Sequence, residues 1–80
     1  MKSIYDVEKS MPYLAIVQFP NAQGDVVTQF VSGSFQVLED CIGYVENYLV
    51  YQYYRTLIQI YDGKRQRVVG NYNCDDYSLE

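Results

Sequence analysis

Eighty residues and 9.4 kDa make a chain of one small domain, and a composition 49% hydrophobic and 20% charged excludes wholesale disorder. Ten acids against six bases give a net charge of −4, the opposite of the basic surface that nucleic-acid binding needs. With no histidine and only Cys41 and Cys74, there is no imidazole base and no four-ligand zinc or iron–sulfur set, and no cofactor or metal is expected.

No apolar run is long enough to span a membrane, and Met1 to Asp6 lack the apolar stretch of an export signal. Both cysteines are therefore expected as reduced thiols in a cytoplasmic protein, a Cys41–Cys74 bridge being the alternative for an exported chain.

In chain order, residues 1–12 read as a short helical turn capped by Ser3 or as an extended arm, stopped by Pro12. Residues 13–19 are rich in β-branched and aromatic types and predict a strand. Pro20 to Asp25 supply turn chemistry, and residues 26–32 predict a second strand paired with the first as an antiparallel hairpin.

Gly33-Ser34 then reads as a break, with Ser34 as a helix cap. Phe35, Leu38, Ile42, Val45 and Leu49 follow at steps of three and four, widened by Cys41 and Tyr48, and predict an amphipathic helix of about four turns. Glu39, Asp40, Gly43 and Glu46 fall on its polar side. The helical period fades across Val50 to Tyr54, and residues 55–61 predict a third strand.

Asp62-Gly63 is a hairpin signal, and residues 64–72 predict the fourth strand. A two-residue loop would set Ile58 and Ile60 opposite Arg67 and Arg65. An odd-length loop shifts the pairing by one and exchanges the faces, so a three-residue loop with a glycine bulge is expected. Thr56, Ile58 and Ile60 then share the core side with Gln66, Val68 and Gly70. Leu57, Gln59 and Tyr61 share the other side with Arg65, Arg67 and Val69. Residues 73–80 read as a loose acidic tail.

The order ββαββ predicts one domain over residues 1–80, an α+β two-layer sandwich. In it a four-stranded antiparallel sheet carries one amphipathic helix on one face. The first strand is apolar in both parities. With Leu14 and Ile16 assigned to the helix side, Tyr13, Val17, Phe19, Leu57, Tyr61 and Val69 would line an uncovered sheet face. That face is then larger than a soluble monomer exposes, and is expected to take a partner or a second copy. The alternative is that the two ends of the chain fold over it.

Catalysis has little support. Glu39-Asp40 read as solvated surface, Cys41 as a core thiol, and neither Ser32 nor Ser34 has a base to activate it. Two binding functions remain. In the first, the acidic helix face of Glu39, Asp40 and Glu46 occupies a basic groove on another protein, with electrostatic steering.

In size, charge and composition the chain resembles the small acidic accessory proteins that phages and mobile elements use against host defence enzymes. The resemblance implies an inhibitor or adaptor of a nucleic-acid-handling protein, without direct nucleic-acid or membrane contact. A homodimer is expected with either function. In the second, the run Tyr51, Tyr53 and Tyr54 with Arg55, or Arg65 and Arg67 with Tyr61, stacks a nucleotide base and neutralises its phosphate.

Overall fold

A computed structural model of the chain describes residues 7–77. Strands β1 (Tyr13–Pro20) and β2 (Val26–Phe35) form a hairpin. Helix α1 (Leu38–Asn47) and a 3₁₀ turn (Leu49–Tyr51) follow, then β3 (Leu57–Asp62), β4 (Arg67–Asn73) and a second 3₁₀ turn (Cys74–Tyr77). The strands make one antiparallel sheet in the order β2-β1-β3-β4, with α1 across one face, so the fold is α+β.

The apolar step of three and four residues works as read: Cys41, Val45 and Leu49 are buried, with Leu38 and Ile42 partly so. They close on Ala15 and Val17 of β1 and on Ile58 and Ile60 of β3. Val17 lies directly opposite Ile58, and Ala15 opposite Ile60, so these residues share the helix-facing side. Thr56, Ile58 and Ile60 are buried, as the pattern of β3 predicts.

Strand β1 takes the face opposite to expectation. Tyr13, Val17 and Phe19 belong to the helix side, and Leu14, Ile16 and Gln18 to the reverse. Alternation could not decide this, because both parities of β1 are apolar; registration against Ile58 and Ile60 decides it.

The helix begins later than its sequence signals suggest. β2 continues through Gly33 and Ser34, which pair with Ala15 and Leu14. Glycine suits position 33, where a Cβ would press on the Phe35 ring at 3.1 Å. Val37, not Ser34, is the residue before α1, and it makes no side-chain capping bond. The acidic first turn, Glu39 and Asp40, complements the helix dipole instead.

The β3–β4 loop has four residues, Gly63 to Gln66, rather than three. Asp62 holds it: its buried carboxylate accepts from the Lys64 and Arg65 amides at 2.9 and 3.2 Å. The left-handed residue is Gln66, at φ 55°. Gly63 serves close approach instead, since its N–H donates to Pro12 O at 2.8 Å and a Cβ would lie 2.5 Å from Val7 Cγ2.

A bulge at Val69 pairs Tyr61 with Val68 and Ile60 with Gly70. Val68 therefore leaves the core side predicted for it, and Val69 is an exposed bulge residue rather than part of a ladder. Residues 73–80 are not a loose tail throughout. Cys74 is buried among Cys41, Val45 and Ile58, and its amide donates to Thr56 O at 2.9 Å. Of the N-terminal arm, residues 1–6 lie outside the described residues, and Glu8 bridges Met11 in a turn rather than a helix.

Candidate functional site

The reverse face of the sheet is not the open platform predicted. At its centre Leu14, Ile16 and Gln18 are buried, Ile16 with 0% exposure, and Leu57, Gln59 and Tyr61 beside them are half-buried. Gln18 Nε2 donates to Gln29 Oε1 at 3.1 Å across the β1–β2 pair. Of the six residues assigned to that face, Tyr13, Val17 and Phe19 lie on the other side, and Leu57, Tyr61 and Val69 form no continuous apolar patch.

Most of the tyrosines line the rim of the helix layer. Tyr44 stacks between Phe35 and Tyr48, with ring centroids at 5.2 and 5.4 Å, and its hydroxyl shares a 2.8 Å hydrogen bond with Ser32 Oγ. Tyr53 meets Phe19 and Phe30 edge-on. These contacts fix how α1 sits. Tyr44 and Tyr48, one turn apart, overlie β2. On the opposite flank Tyr72 Oη of β4 donates to Glu46 Oε2 at 2.9 Å. Glu39, two turns before Glu46, shares that flank.

Helix α1 carries Glu39, Asp40 and Glu46 and no basic residue, and all three acids are exposed. Among the described residues the one ion pair is Arg65 with Asp62, at 3.9 Å, so no basic side chain neutralises the helix. All three acids proposed from sequence are thus exposed without an ion pair among the described residues, Glu39 and Glu46 on the β4 flank and Asp40, one turn before Tyr44, towards the β2 flank. Tyr72 feels the β4 flank: burial, with the bond to Glu46 and its charge, pushes the phenol up to about 12.

Of the two candidate nucleotide sets, Tyr51, Tyr53 and Tyr54 come together with Arg55, while Arg65 and Arg67 lie apart from them. Tyr53 and Tyr54 precede β3, while Arg65 and Arg67 follow it, and a six-residue strand sets them roughly 20 Å apart. What Tyr53 and Tyr54 do line, with Val50, Tyr51, Cys74 and Tyr77, is an open cleft of about 280 Å³. Arg55 stands beside it, its guanidinium 5.3 Å from the Tyr54 centroid and its amide bonded to Asp75 Oδ1. Arg55 holds φ at 54°, an uncommon conformation for a side chain of its size.

Both thiols are in the core and unpaired with each other. Burial pushes Cys41 up to about 11, and burial with the Asp75 charge raises Cys74, so neither is a thiolate at neutral pH. Among the described residues no three His, Cys, Asp or Glu gather to hold a metal, and no helix is long and apolar enough to cross a membrane.

One surface escaped the reading of the sequence. Val26, Val27, Phe30 and Val31 of β2 are all exposed, Val27 at 63%, and Val37 and Tyr48 extend this apolar surface onto the flank of α1 above. The signal was present: residues 26–35 hold ten consecutive positions without a charge or a proline. No family model, curated protein or solved structure matches this chain.

Proposed function

We propose that the protein is a non-catalytic, protein-binding module that uses the acidic surface of α1 to occupy a basic surface on another protein. The observation that carries this reading is the helix itself: Glu39, Asp40 and Glu46 stand exposed, with no base on the helix and, among the described residues, no ion pair to any of them. Such a surface gains little from its own fold and steers a positively charged partner towards it. A nucleic-acid-handling protein, whose working groove is basic, is the partner class of matching chemistry. Occupying that groove makes the module an inhibitor or adaptor.

The test is affinity capture with the native chain and with Glu39→Lys, Asp40→Lys and Glu46→Lys combined. A partner held by the native chain, shed as salt rises and not retained by the variant, is the expected result. Retention of the same partner by the charge-reversed chain would overturn the reading.

The tyrosine cleft favours a second reading, a binder of a planar aromatic ligand such as a nucleotide base. Its volume sits at the small end of ligand pockets. The cation beside it is Arg55, the one expected with this tyrosine run. A melting temperature raised by ATP or GTP, with the rise lost in Arg55→Ala, would favour this reading over the first.

A further inference from the structure

We propose that β2 pairs antiparallel with the β2 of a second copy, joining two four-stranded sheets into one across a two-fold axis. An edge strand presents a row of unpaired backbone N–H and C=O groups, and proteins that keep an edge free guard it with charge, proline or brevity. β2 has none of these three guards, although it is bulged at Val27 and Ser32. It is ten residues long, with no charged residue and no proline, and Val26, Val27, Phe30 and Val31 are exposed along it. Val37 and Tyr48, 47% and 50% exposed, add apolar surface on the helix above the same edge.

An uncharged β2 leaves room for a second copy as the occupant. At net −4, two copies repel wherever they bring acids together. Glu39 and Glu46 lean to the β4 side and Asp75 and Asp76 follow β4, whereas the β2 side has only Asp40 on the helix and Asp25 before the strand, so two copies juxtapose fewer acids at β2 than at β4. Asp25, which precedes the strand, would come opposite the uncharged far end of the partner strand, around Gly33 to Phe35.

The strand also matches itself. Bulges at Val27 and Ser32 frame a regular stretch, Thr28 to Val31. A two-fold axis perpendicular to the sheet keeps each face on its own side. Thr28 and Phe30 therefore meet their counterparts on the helix side, and Gln29 and Val31 meet theirs on the reverse. Both helices then lie over the same face of the joined sheet, and the pair presents two acidic surfaces in one direction.

Sedimentation analysis of the full chain tests this, independently of whether α1 binds a partner. The native chain is expected at twice 9.4 kDa. Thr28→Lys combined with Val31→Lys is expected at half that mass, with an unchanged circular dichroism spectrum. Asn71→Lys on the β4 edge is expected to remain a dimer. A native chain monomeric at millimolar concentration would overturn the proposal, as would a dimer that survives the two lysines or is lost with Asn71→Lys. Should the double variant not fold, amide exchange of the native chain decides. β2 amides that slow as concentration rises support the pairing, and slowing at β4 instead defeats it.

Discussion

β2 and β4 are both edge strands of one sheet, yet they are finished differently. β4 is seven residues long, opens on Arg67 and follows a loop carrying Lys64 and Arg65; bulges occur on both edges, at Val69 of β4 and at Val27 and Ser32 of β2. Tyr72 ties it to Glu46 of the helix, and the 3₁₀ turn beyond it returns Cys74 to the core. β2 is longer, uncharged and exposed along most of its length. A chain with six basic residues has placed three of them at the β4 end and none on β2. The difference indicates that one edge is closed by design against other strands and the other is left able to accept one.

The largest expected effect separates the hairpins that carry these edges. In the β3–β4 loop, Gly63→Ala forces a Cβ to within 2.5 Å of Val7 Cγ2 and 2.7 Å of Pro12 O. Urea denaturation should show a loss of about 3 kcal/mol, the upper range for overpacking. In the β1–β2 loop, Gly24 has φ 89° with nothing within 4 Å, so Gly24→Ala should cost only about 1 kcal/mol of backbone strain. Equal losses would mean that the β4 hairpin is not fastened to the body of the protein as its contacts indicate.

Alkaline pH probes the buried joint beneath α1 and β4. Cys41 rises from 9.0 to about 11 and Tyr72 from 10.0 to about 12 on folding. Both are neutral when protonated, so above pH 9 the unfolded chain releases protons that the folded chain still holds. Stability is therefore complete below pH 9. It falls between pH 9 and 11 through Cys41, by up to about 2.5 kcal/mol, and between pH 10 and 12 through Tyr72. Cys41→Ala should lower stability overall and shrink the first of these declines, leaving the part that the raised Cys74 thiol contributes. A denaturation profile of the native chain flat from pH 8 to pH 11 would show that the thiol is hydrated in the fold.

The contrast between the edges also marks how far the sequence could be read. The element order and the buried stripe of Cys41, Val45 and Leu49 were legible, because a period of three and four residues has one physical solution. The alternation of Ile58 and Ile60 was legible for the same reason. The face of β1 was not, since Tyr13 to Phe19 are apolar in both parities and only pairing with β3 orients them. Gly33-Ser34 looks like a helix start but sits in a strand, because a glycine under the Phe35 ring and a serine on an edge are equally at home there. Of the candidate site, the acids of α1 were found from their polar side of the helix. The β2 edge was missed because attention to charged and aromatic residues passes over a segment defined by having no charges.

Smaller changes on α1 sharpen the comparison of its two flanks. Gly43 sits mid-helix with open space where its Cβ would be, Asn47 Nδ2 being 3.9 Å away. Gly43→Ala should raise stability by about 1 kcal/mol, read as a higher urea midpoint, with association unchanged. A loss of association on adding this one methyl group would mean that another molecule approaches the crest of the helix closely.

Val37 gives the finest test. It occupies the helix N-cap, in extended backbone at φ −120° and ψ 132°, without a side-chain bond to the first turn. Serine there accepts an amide hydrogen bond that valine cannot, so Val37→Ser should stabilise the fold by about 0.5–1 kcal/mol. The same change removes apolar surface from the flank above β2. Fold stability and self-association should therefore move in opposite directions, the urea midpoint rising while the dimer dissociates at higher protein concentration. Were valine merely a poor cap, the midpoint would rise and the sedimentation profile would stay where it was. Opposite movement would instead show that the cap position is given over to contact, and that the apolar surface of the open edge continues onto the helix.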